Sequence, residues 1–429
     1  MRLSTQDADF EASFTRLLAA KREDAPDVRA AVDAILADVR ERGDEAVCSY
    51  TTRFDRHEVT PDNLRVTDKE IDDAMATVDA DVIKALDLAA SRIESHHRRQ
   101  MPSDDAYSDD LGVRLASRWT PIDAVGLYVP GGTASYPSSV LMNAVPAKVA
   151  GVARVVMVVP TPDGVTNPAI LAAARRAGVD EIYRIGGAQA VAALAYGTET
   201  IAPVSKIVGP GNAYVAAAKR AVFGTVGIDM IAGPSEVLII ADATANPDWV
   251  AADLLAQAEH DVAAQSIFIT LHAELSEKVA EAVDRQLTSL PRGEIAGRSW
   301  RDYGAIITVE SQEQAVSLAN RVAAEHLELA VADPEALLPH IRHAGAIFLG
   351  HHTPEAIGDY VGGSNHVLPT ARSARFSSGL SVMDFIKRTS VLACGPDALA
   401  ALGPAAITLA ETEGLTAHAR SVAIRTNRF

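Results

Sequence analysis

The N-terminal part of the chain has hydrophobic residues at helical spacing. Apolar side chains recur every three or four positions between Pro26 and Arg42, and Gly43 ends the pattern, which predicts a helix over 26–42. A second run predicts a helix over 82–93. It leads into His96-His97-Arg98-Arg99, for which we expect a solvated helix end, because neighbouring residues on a helix point in different directions.

From Trp119 onward, short apolar runs alternate with alanine-rich segments. This alternation is typical of parallel strands joined by helices. Strands are predicted at 124–129, 155–159, 181–185 and 206–208. Asn167-Pro168 is expected to begin a helix that reaches Gly178.

Two of these strands lead into glycine-rich turns, Gly186-Gly187-Ala188-Gln189 and Gly209-Pro210-Gly211-Asn212. Such turns let backbone N–H groups approach a phosphate at a helix N-terminus. Neither turn has the GxGxxG spacing, and glycine turns between strand and helix are also common for steric reasons alone. By themselves, the turns leave nucleotide binding and a purely steric role as equal alternatives.

A second series of strands and helices begins near residue 235. Strands are predicted at 237–241, 266–270, 305–309 and 346–349, with helices from Ser276 and from Ser311, where Gln314 would complete a capping box. Ser235 lies at the entrance of the first strand, where a turn or cap role is the simpler interpretation. The two series predict an α/β fold with two Rossmann-like, doubly wound lobes.

The two ends of the chain differ from these lobes. Residues 1–118 are expected to be a helical region that packs on the catalytic lobe. After Pro369 the sequence becomes basic and serine-rich, and helical patterns return at 383–391 and 404–422. We therefore expect lobes at 119–234 and 235–370, followed by a C-terminal segment at 371–429.

The composition limits the function. A formal charge of −17 over 429 residues disfavours nucleic acid as a partner, because phosphate contacts need clustered Lys and Arg. Cys48 and Cys394 are too few for a disulfide framework, and no basic-then-apolar leader is present, so a cytoplasmic location is predicted. The apolar runs are too short to span a bilayer, which predicts no membrane association.

One stretch, LLAQAEHDVAAQ, combines metal-ligating residue types. Gln257 and His260 are three residues apart and would share one face of a helix. Possible partners occur in three later segments: Glu325-His326, Asp359, and the pair Glu413 and His418. Each has a simpler interpretation, since a buried histidine is usually structural and glutamine is a rare zinc ligand. Singly, none of these residues predicts a site.

The order of several motifs resembles the histidinol dehydrogenase family. The motifs are GLYVPGGTASYPSSVLMNAVPAKVAG, GGAQAVAALAYGTE, VGPGNAYVAAAKR, IDMIAGPSEVLIIAD, LLAQAEHD, AAEHLEL, GDYVGGSNHVLPT and EGLTAHA. They extend over most of the chain beyond residue 119, and this set in one order is far more specific than any single motif. The resemblance implies a zinc-dependent oxidation of L-histidinol to L-histidine through L-histidinal with two NAD, the final step of histidine biosynthesis.

The resemblance also implies roles for individual residues. The zinc ligands would be Gln257, His260, Asp359 and His418, and the acid/base pair Glu325 and His326. Substrate-contacting positions would be Ser235, His366 and Glu413, together with the four ligands and His326; NAD-contacting positions would be Tyr128, Gln189 and Asn212. Residues 119–234 would then be the NAD-binding lobe, 235–370 the catalytic and metal-binding lobe, and 371–429 a dimerisation arm that completes the partner's site in a homodimer.

Residue chemistry is compatible with these roles. Two imidazoles, a carboxylate and an amide suit Zn²⁺, and the imidazole and amine of the substrate could complete the coordination. Alcohol oxidation needs a proton acceptor, and a neutral His326 is the candidate. Glu325 is the candidate base for the water added to the aldehyde, with roles partly shared between the two. Neither cysteine has a motif that supports a thiohemiacetal route.

Two alternatives stay open at this point. A relative of the same fold could oxidise another small alcohol such as a sulfonated diol, although Glu413 and His366 suit an amine and an imidazole. A catalytically silent metal- or metabolite-binding protein is the alternative from another class, and the presence of Glu325 and His326 disfavours it.

Overall fold

The computed structural model describes residues 1–20, 26–131, 136–231 and 233–426. Residues 132–135 of the GLYVPGGTASYPSS motif therefore lie outside the described residues. The chain divides into two compact units, one formed by Met1–Arg99 and Asp123–Phe385, the other by Gln100–Ile122 and Ile386–Phe429.

The strands of the described residues are, in chain order, β1 Arg2–Ser4, β2 Asp105–Ser108, β3 Arg114–Pro121, β4 Ala124–Tyr128, β5 Arg154–Val158, β6 Glu181–Tyr183, β7 Lys206–Val208, β8 Gly227–Ile228, β9 Glu236–Ala241, β10 Gln265–Thr270, β11 Ala305–Thr308, β12 His326–Ala330, β13 Ala346–Leu349 and β14 Ile386–Ala393. The α-helices are α1 Phe10–Ala19, α2 Pro26–Arg42, α3 Asp44–Asp55, α4 Asp68–Met75, α5 Ala80–Arg98, α6 Pro137–Val149, α7 Pro168–Ala177, α8 Gly187–Tyr196, α9 Ala213–Val222, α10 Pro247–Ala258, α11 Ala273–Leu287, α12 Gly293–Tyr303, α13 Gln312–Val322, α14 Pro334–Leu337, α15 Glu355–Tyr360, α16 Pro396–Thr412 and α17 Thr416–Arg425.

The first unit contains a five-stranded parallel sheet in the order β6-β5-β4-β7-β8. Within this sheet, the chain enters at β4, adds β5 and β6 on one side, and then returns to add β7 and β8 on the other. All five residues of β4 are buried, as expected for a central parallel strand between helices. The strand order reverses between β4 and β7, and in doubly wound sheets this point forms a crevice beyond the carboxyl ends of the strands.

A second parallel sheet in the same unit has the order β1-β11-β10-β9-β12-β13. The chain starts at β9, adds β10 and β11 on one side and β12 and β13 on the other, so the first and second lobes share one winding pattern. Apolar clusters fill both faces of the sheet. The predicted fold with two doubly wound lobes is confirmed.

The second unit combines an antiparallel sheet with a helical hairpin. The sheet has the order β14-β3-β2, and all eight residues of β14 pair with β3. Helices α16 and α17 pack on each other, and Gly414 between them has a φ of +76°, a conformation that favours glycine. Among the described helices, none is long and apolar enough to cross a membrane.

Several predicted elements need correction at the C-terminal end. The helix predicted at 383–391 is wrong: a 3₁₀ turn at Val382–Asp384 is followed by strand β14. Pairing with β3, far away in sequence, decides this conformation, and local spacing does not contain that information. The helix predicted at 404–422 is two helices, because the chain turns at Gly414.

Two local predictions at helix ends are also corrected. The end of α5 is not fully solvated, because the His97 side chain is buried and its Nδ1 lies 2.7 Å from the Ile93 carbonyl oxygen. Ser311 does cap α13 by accepting from the Gln314 N–H. The capping box is incomplete, however, since the Gln314 side chain accepts from the Glu310 N–H at 2.8 Å.

Candidate functional site

The predicted acid/base pair lies at the amino-terminal ends of β9 and β12. These strands are parallel neighbours with Val237 opposite His326, so Ser235 and Glu325, which precede them, reach the same edge of the sheet. The backbone of Glu236 contacts both candidates. Its N–H donates to Glu325 Oε2 at 3.0 Å, and its carbonyl oxygen accepts from His326 Nδ1 at 3.2 Å. Nδ1 therefore bears a proton, and Nε2 is the atom available for chemistry.

Three carboxylates surround the buried imidazole of His326. Its Nδ1 lies 3.8 Å from both Glu325 Oε2 and Glu355 Oε1, and its Nε2 lies 3.5 Å from Asp359 Oδ1. Burial opposes protonation of this ring, but Glu355, Glu325 and Asp359 outweigh it and raise the pKa of His326 well above its ordinary value. These carboxylates favour the charged form of the ring, whereas the predicted proton acceptor is the neutral form.

Glu325 is almost completely buried, and this burial raises the pKa of its carboxyl. The positive charge of His326 and the hydrogen bond from the Glu236 N–H oppose the rise. A carboxylate with a raised pKa is a stronger base once it is ionised, which suits the predicted role.

A possible metal cluster lies beside this pair. One ligand atom from each of His260, Glu355 and Asp359 lies within 4.8 Å of the other two. Helix α15 supplies both carboxylates, since Glu355 and Asp359 are four residues apart on one face. Partial loss of hydration lowers the pKa of His260 although the residue is exposed overall, and a lowered pKa favours the neutral imidazole that a metal requires. His260 lies two residues beyond Ala258, the last residue of α10, so it is not on the helix face where it was predicted.

Gln257 provides the test of whether a cation fits. It occupies the last turn of α10 and is fully buried, yet neither its Oε1 nor its Nε2 has a hydrogen-bond partner among the described residues. A buried amide without partners is costly, and such groups call for an explanation such as an ion. The nitrogen and oxygen donors of Gln257, His260 and Asp359 fit Zn²⁺.

Sequence reasoning missed Glu355 and Ser139. Burial raises the pKa of Glu355 to about 8, with His326 opposing the rise. Its position four residues before Asp359 was the available signal. Ser139 Oγ lies 3.2 Å from His366 Nε2, while His366 Nδ1 donates to the Asp359 carbonyl oxygen at 2.9 Å, so both ring nitrogens of this histidine are occupied. Ser139 lies in α6, far away in the chain, and no sequence signal marks it.

The predicted cofactor residues lie at the carboxyl ends of the first sheet. Tyr128 ends β4, and its hydroxyl accepts from the Gly187 N–H at 2.9 Å. Burial raises the pKa of this hydroxyl to about 12, so it stays protonated. Gly209 follows β7 with a φ of +105°, and a Cβ there would lie 2.2 Å from the Tyr128 carbonyl oxygen. Only glycine fits this contact.

Two polar side chains stand near these turns. Gln189 is buried in the first turn of α8, and its Oε1 has no partner among the described residues. Asn212 is exposed at the N-terminus of α9, where its Oδ1 accepts from the N–H groups of Tyr214 and Val215. Narrow glycine turns, an unpaired buried amide and a capped helix N-terminus fit a dinucleotide at the reversal point of the sheet.

Comparison with known proteins identifies the family. The family model described as "Histidinol dehydrogenase" matches residues 18–426. The chain belongs to the histidinol dehydrogenase family. Family members oxidise their substrate, so the chain is grouped with oxidoreductases.

Relatives of this family match along their whole length. A histidinol dehydrogenase from Agrobacterium fabrum is 70% identical over 99% of this chain and 98% of its own, and one from Rhizobium meliloti is 68% identical over 100% and 98%. The crystal structure of histidinol dehydrogenase from Elizabethkingia anophelis superimposes with a TM-score of 0.94 at 38% identity and covers 100% of this chain and 98% of that one. The predicted family is confirmed.

Two of the residues that match the histidinol dehydrogenase pattern belong to the second unit. Glu413 follows the last residue of α16, and His418 lies in the first turn of α17. Both side chains are exposed. Their roles in substrate and zinc binding stay predictions.

Proposed function

We propose that this chain oxidises L-histidinol to L-histidine through L-histidinal, the final step of histidine biosynthesis, with Zn²⁺ and two NAD. The observation that supports it most is the unpaired buried Gln257 amide beside a base-and-carboxylate cluster. A base next to oxygen and nitrogen metal ligands favours the oxidation of a chelating amino alcohol over a binding role without catalysis.

Gln257, His260, Asp359 and His418 would hold the zinc. When bound, zinc supplies a positive charge that orients the imidazole and amine of the substrate. Glu355 also reaches this cluster. Ser235, His366 and Glu413 would contact the substrate, and the two hydrogen bonds of His366 fix the orientation of its ring.

Tyr128, Gln189 and Asn212 would hold NAD, which accepts one hydride in each of the two oxidations. Around it, the chain contributes shape and polarity. The Gly209 turn keeps its backbone against Tyr128, and the N-terminus of α9 presents the positive end of a helix dipole to an anionic group.

His326 Nε2 would accept the substrate hydroxyl proton, because Nδ1 is committed to the Glu236 carbonyl oxygen. This requires a neutral ring. A cation held by Asp359 would offset one of the three carboxylates that raise the pKa of His326, after Glu355 and Glu325, and would favour the neutral ring. Glu325 would accept a proton from the water that adds to the aldehyde before the second oxidation.

We also propose a homodimer in which residues 371–429 bring Glu413 and His418 to the partner's site. Heterodimers that combine one His260→Asn subunit with one His418→Asn subunit should regain activity, since one of the two sites then keeps every ligand. No recovery in verified heterodimers would contradict the shared site. A cytoplasmic location and the lack of nucleic-acid and membrane partners stay predictions.

One experiment tests the proposed reaction. Purified protein should contain zinc and form NADH from L-histidinol, lose activity on chelation, and recover it on zinc addition. A panel that includes a sulfonated diol provides the specificity control. Activity on the diol without histidinol turnover would favour the other small-alcohol oxidation, and no NADH from either alcohol would favour a silent binding protein.

A further inference from the structure

A buried ion pair lies beneath the second glycine turn of the first lobe. Lys219, in α9, pairs with Asp229, which follows β8, and their side chains are 2% and 1% exposed. No role in the proposed reaction accounts for this pair. A buried ion pair usually adds little stability over an apolar pair of similar size, because both charges lose their hydration. Its presence therefore calls for another explanation.

The partners of this pair are the polar backbone groups of Gly209. Lys219 Nζ donates to the Gly209 carbonyl oxygen at 2.9 Å, and the Gly209 N–H donates to Asp229 Oδ2 at 2.7 Å. The second carboxylate oxygen of Asp229 accepts from Lys219 and from the Met230 N–H. The ammonium and the carboxylate thus fix both polar groups of a single residue.

Gly209 needs this fixation because of its conformation. Its φ is +105°, and its Cα lies so close to Tyr128 that a Cβ would be 2.2 Å from the carbonyl oxygen. The same turn leads within three residues to Asn212, the cap of α9. A shift of Gly209 would therefore move the two proposed NAD-contacting residues relative to each other.

We propose that Lys219 and Asp229 are positioning residues for NAD: together they fix the Gly209 turn so that Tyr128 and the N-terminus of α9 bind the dinucleotide at once. This inference rests on the proposed function, because it assumes that the first lobe binds NAD. It assigns no contact between either side chain and NAD. The pair acts through the backbone of Gly209.

The test uses Lys219→Met and Asp229→Asn in the zinc-loaded protein. We expect the Kd for NADH, from a fluorescence titration without histidinol, and the KM for NAD to rise at least about tenfold in both variants. The KM for histidinol and kcat should stay within about twofold, because loss of uniform cofactor binding raises KM without lowering kcat.

Arg154→Met is the matched control. Arg154 forms a partly buried ion pair with Glu181 at the amino ends of β5 and β6, in the same sheet but at its opposite edge. Its loss should destabilise the lobe and leave the Kd for NADH unchanged. If Lys219→Met does not fold, the double variant Lys219→Met/Asp229→Asn, which leaves no unpaired buried charge, is titrated instead.

Three results would overturn the inference. An unchanged Kd for NADH in folded variants of an active enzyme contradicts this inference but not the proposed function. An equal rise in Arg154→Met and Lys219→Met contradicts it as well, since general destabilisation would then explain both. A wild-type protein that neither binds NADH nor oxidises histidinol overturns the proposed function and this inference together.

Discussion

The two lobes wind in the same way but place their chemistry at opposite edges of their sheets. In the first lobe, Tyr128 and Gly209 lie at the carboxyl ends of β4 and β7. In the second lobe, Glu325 and His326 lie at the amino ends of β9 and β12, which are the equivalent strands. Under the proposed function, one topology would serve two kinds of site.

The difference follows from the helices that meet each edge. Helix N-termini face the carboxyl edge of a doubly wound sheet and present N–H groups and positive dipole ends, which suit the phosphates of a dinucleotide. Helix C-termini face the amino edge, where carbonyl groups and negative dipole ends suit a cation. Gln257 lies in the last turn of α10, at such a negative end. The carboxyl edge of such a sheet therefore suits an anionic ligand, and the amino edge suits a cation.

A small cavity lies at the carboxyl edge of the second sheet. The cavity there, lined by Trp249, Asp253, Glu328 and His351, has a volume of about 10 Å³. This is roughly the space for one water molecule.

Removal of the base should give the largest effect. His326→Asn should slow NADH formation by about 10²- to 10⁴-fold, because it removes a proton acceptor and no zinc ligand. Steady-state rates and metal analysis of the same preparation measure both quantities, with the exposed His340→Asn as control. Loss of zinc from the His326 variant would make the residue a ligand and contradict its assigned role.

A substitution at Gln257 tests zinc binding at the amino edge of the second sheet separately from catalysis. Gln257→Met should lower zinc affinity by about 100-fold, near the upper end of effects seen for metal-site residues. It should leave the stability of the zinc-free protein unchanged or higher, since no hydrogen bond is lost. Gln265→Met is the control, because Gln265 Nε2 donates to the Tyr303 carbonyl oxygen at 3.2 Å. It should cost about 1 kcal/mol and keep zinc affinity. If Gln257→Met destabilised the zinc-free protein, this would contradict the claim that the Gln257 amide makes no hydrogen bond.

The carboxyl edge of the second lobe should make folding stability depend on pH, because the Asp253 carboxyl lies there. Burial raises the pKa of Asp253 to about 6, above that of an unfolded chain, so folding stability is lost as pH rises from about 4 to 6. Asp253→Asn should therefore stabilise the zinc-free protein by about 3 kcal/mol at pH 8 and by little near pH 4.

Urea unfolding at the two pH values measures this difference. The control is Asp248→Asn in the same helix, whose carboxylate is exposed and pairs with Arg285, so its stability change should be small at both pH values. An equal gain for Asp253→Asn at both pH values would contradict a buried charge at this edge.

The smallest expected effect compares two helix caps in the first lobe. Asn212→Ala and Asn167→Ala should each cost about 1 kcal/mol, because each removes an N-cap. Only Asn212→Ala should also raise the KM for NAD, by roughly threefold to tenfold, the range of one lost hydrogen bond. Equal KM values for both variants would remove Asn212 from the cofactor site.

Sequence patterns predicted the features that are determined by residues close together in the chain. The buried runs at 237–241 and 266–270 are strands because continuous apolar segments form central parallel strands. The family motifs also located Glu325 and His326, which are neighbours in the chain. Glu355 was missed because its contact with His326 depends on how α15 packs against β12. The strand at 386–393 was missed because it exists only through pairing with β3.

The stoichiometry of the reaction tests the central claim, that the amino edge of the second lobe performs both oxidations with NAD bound by the first. With limiting L-histidinol and excess NAD, the purified zinc-loaded protein should form two NADH per histidinol consumed, with L-histidine as the product. One NADH per histidinol, with accumulation of the aldehyde, or no NADH at all, would contradict it.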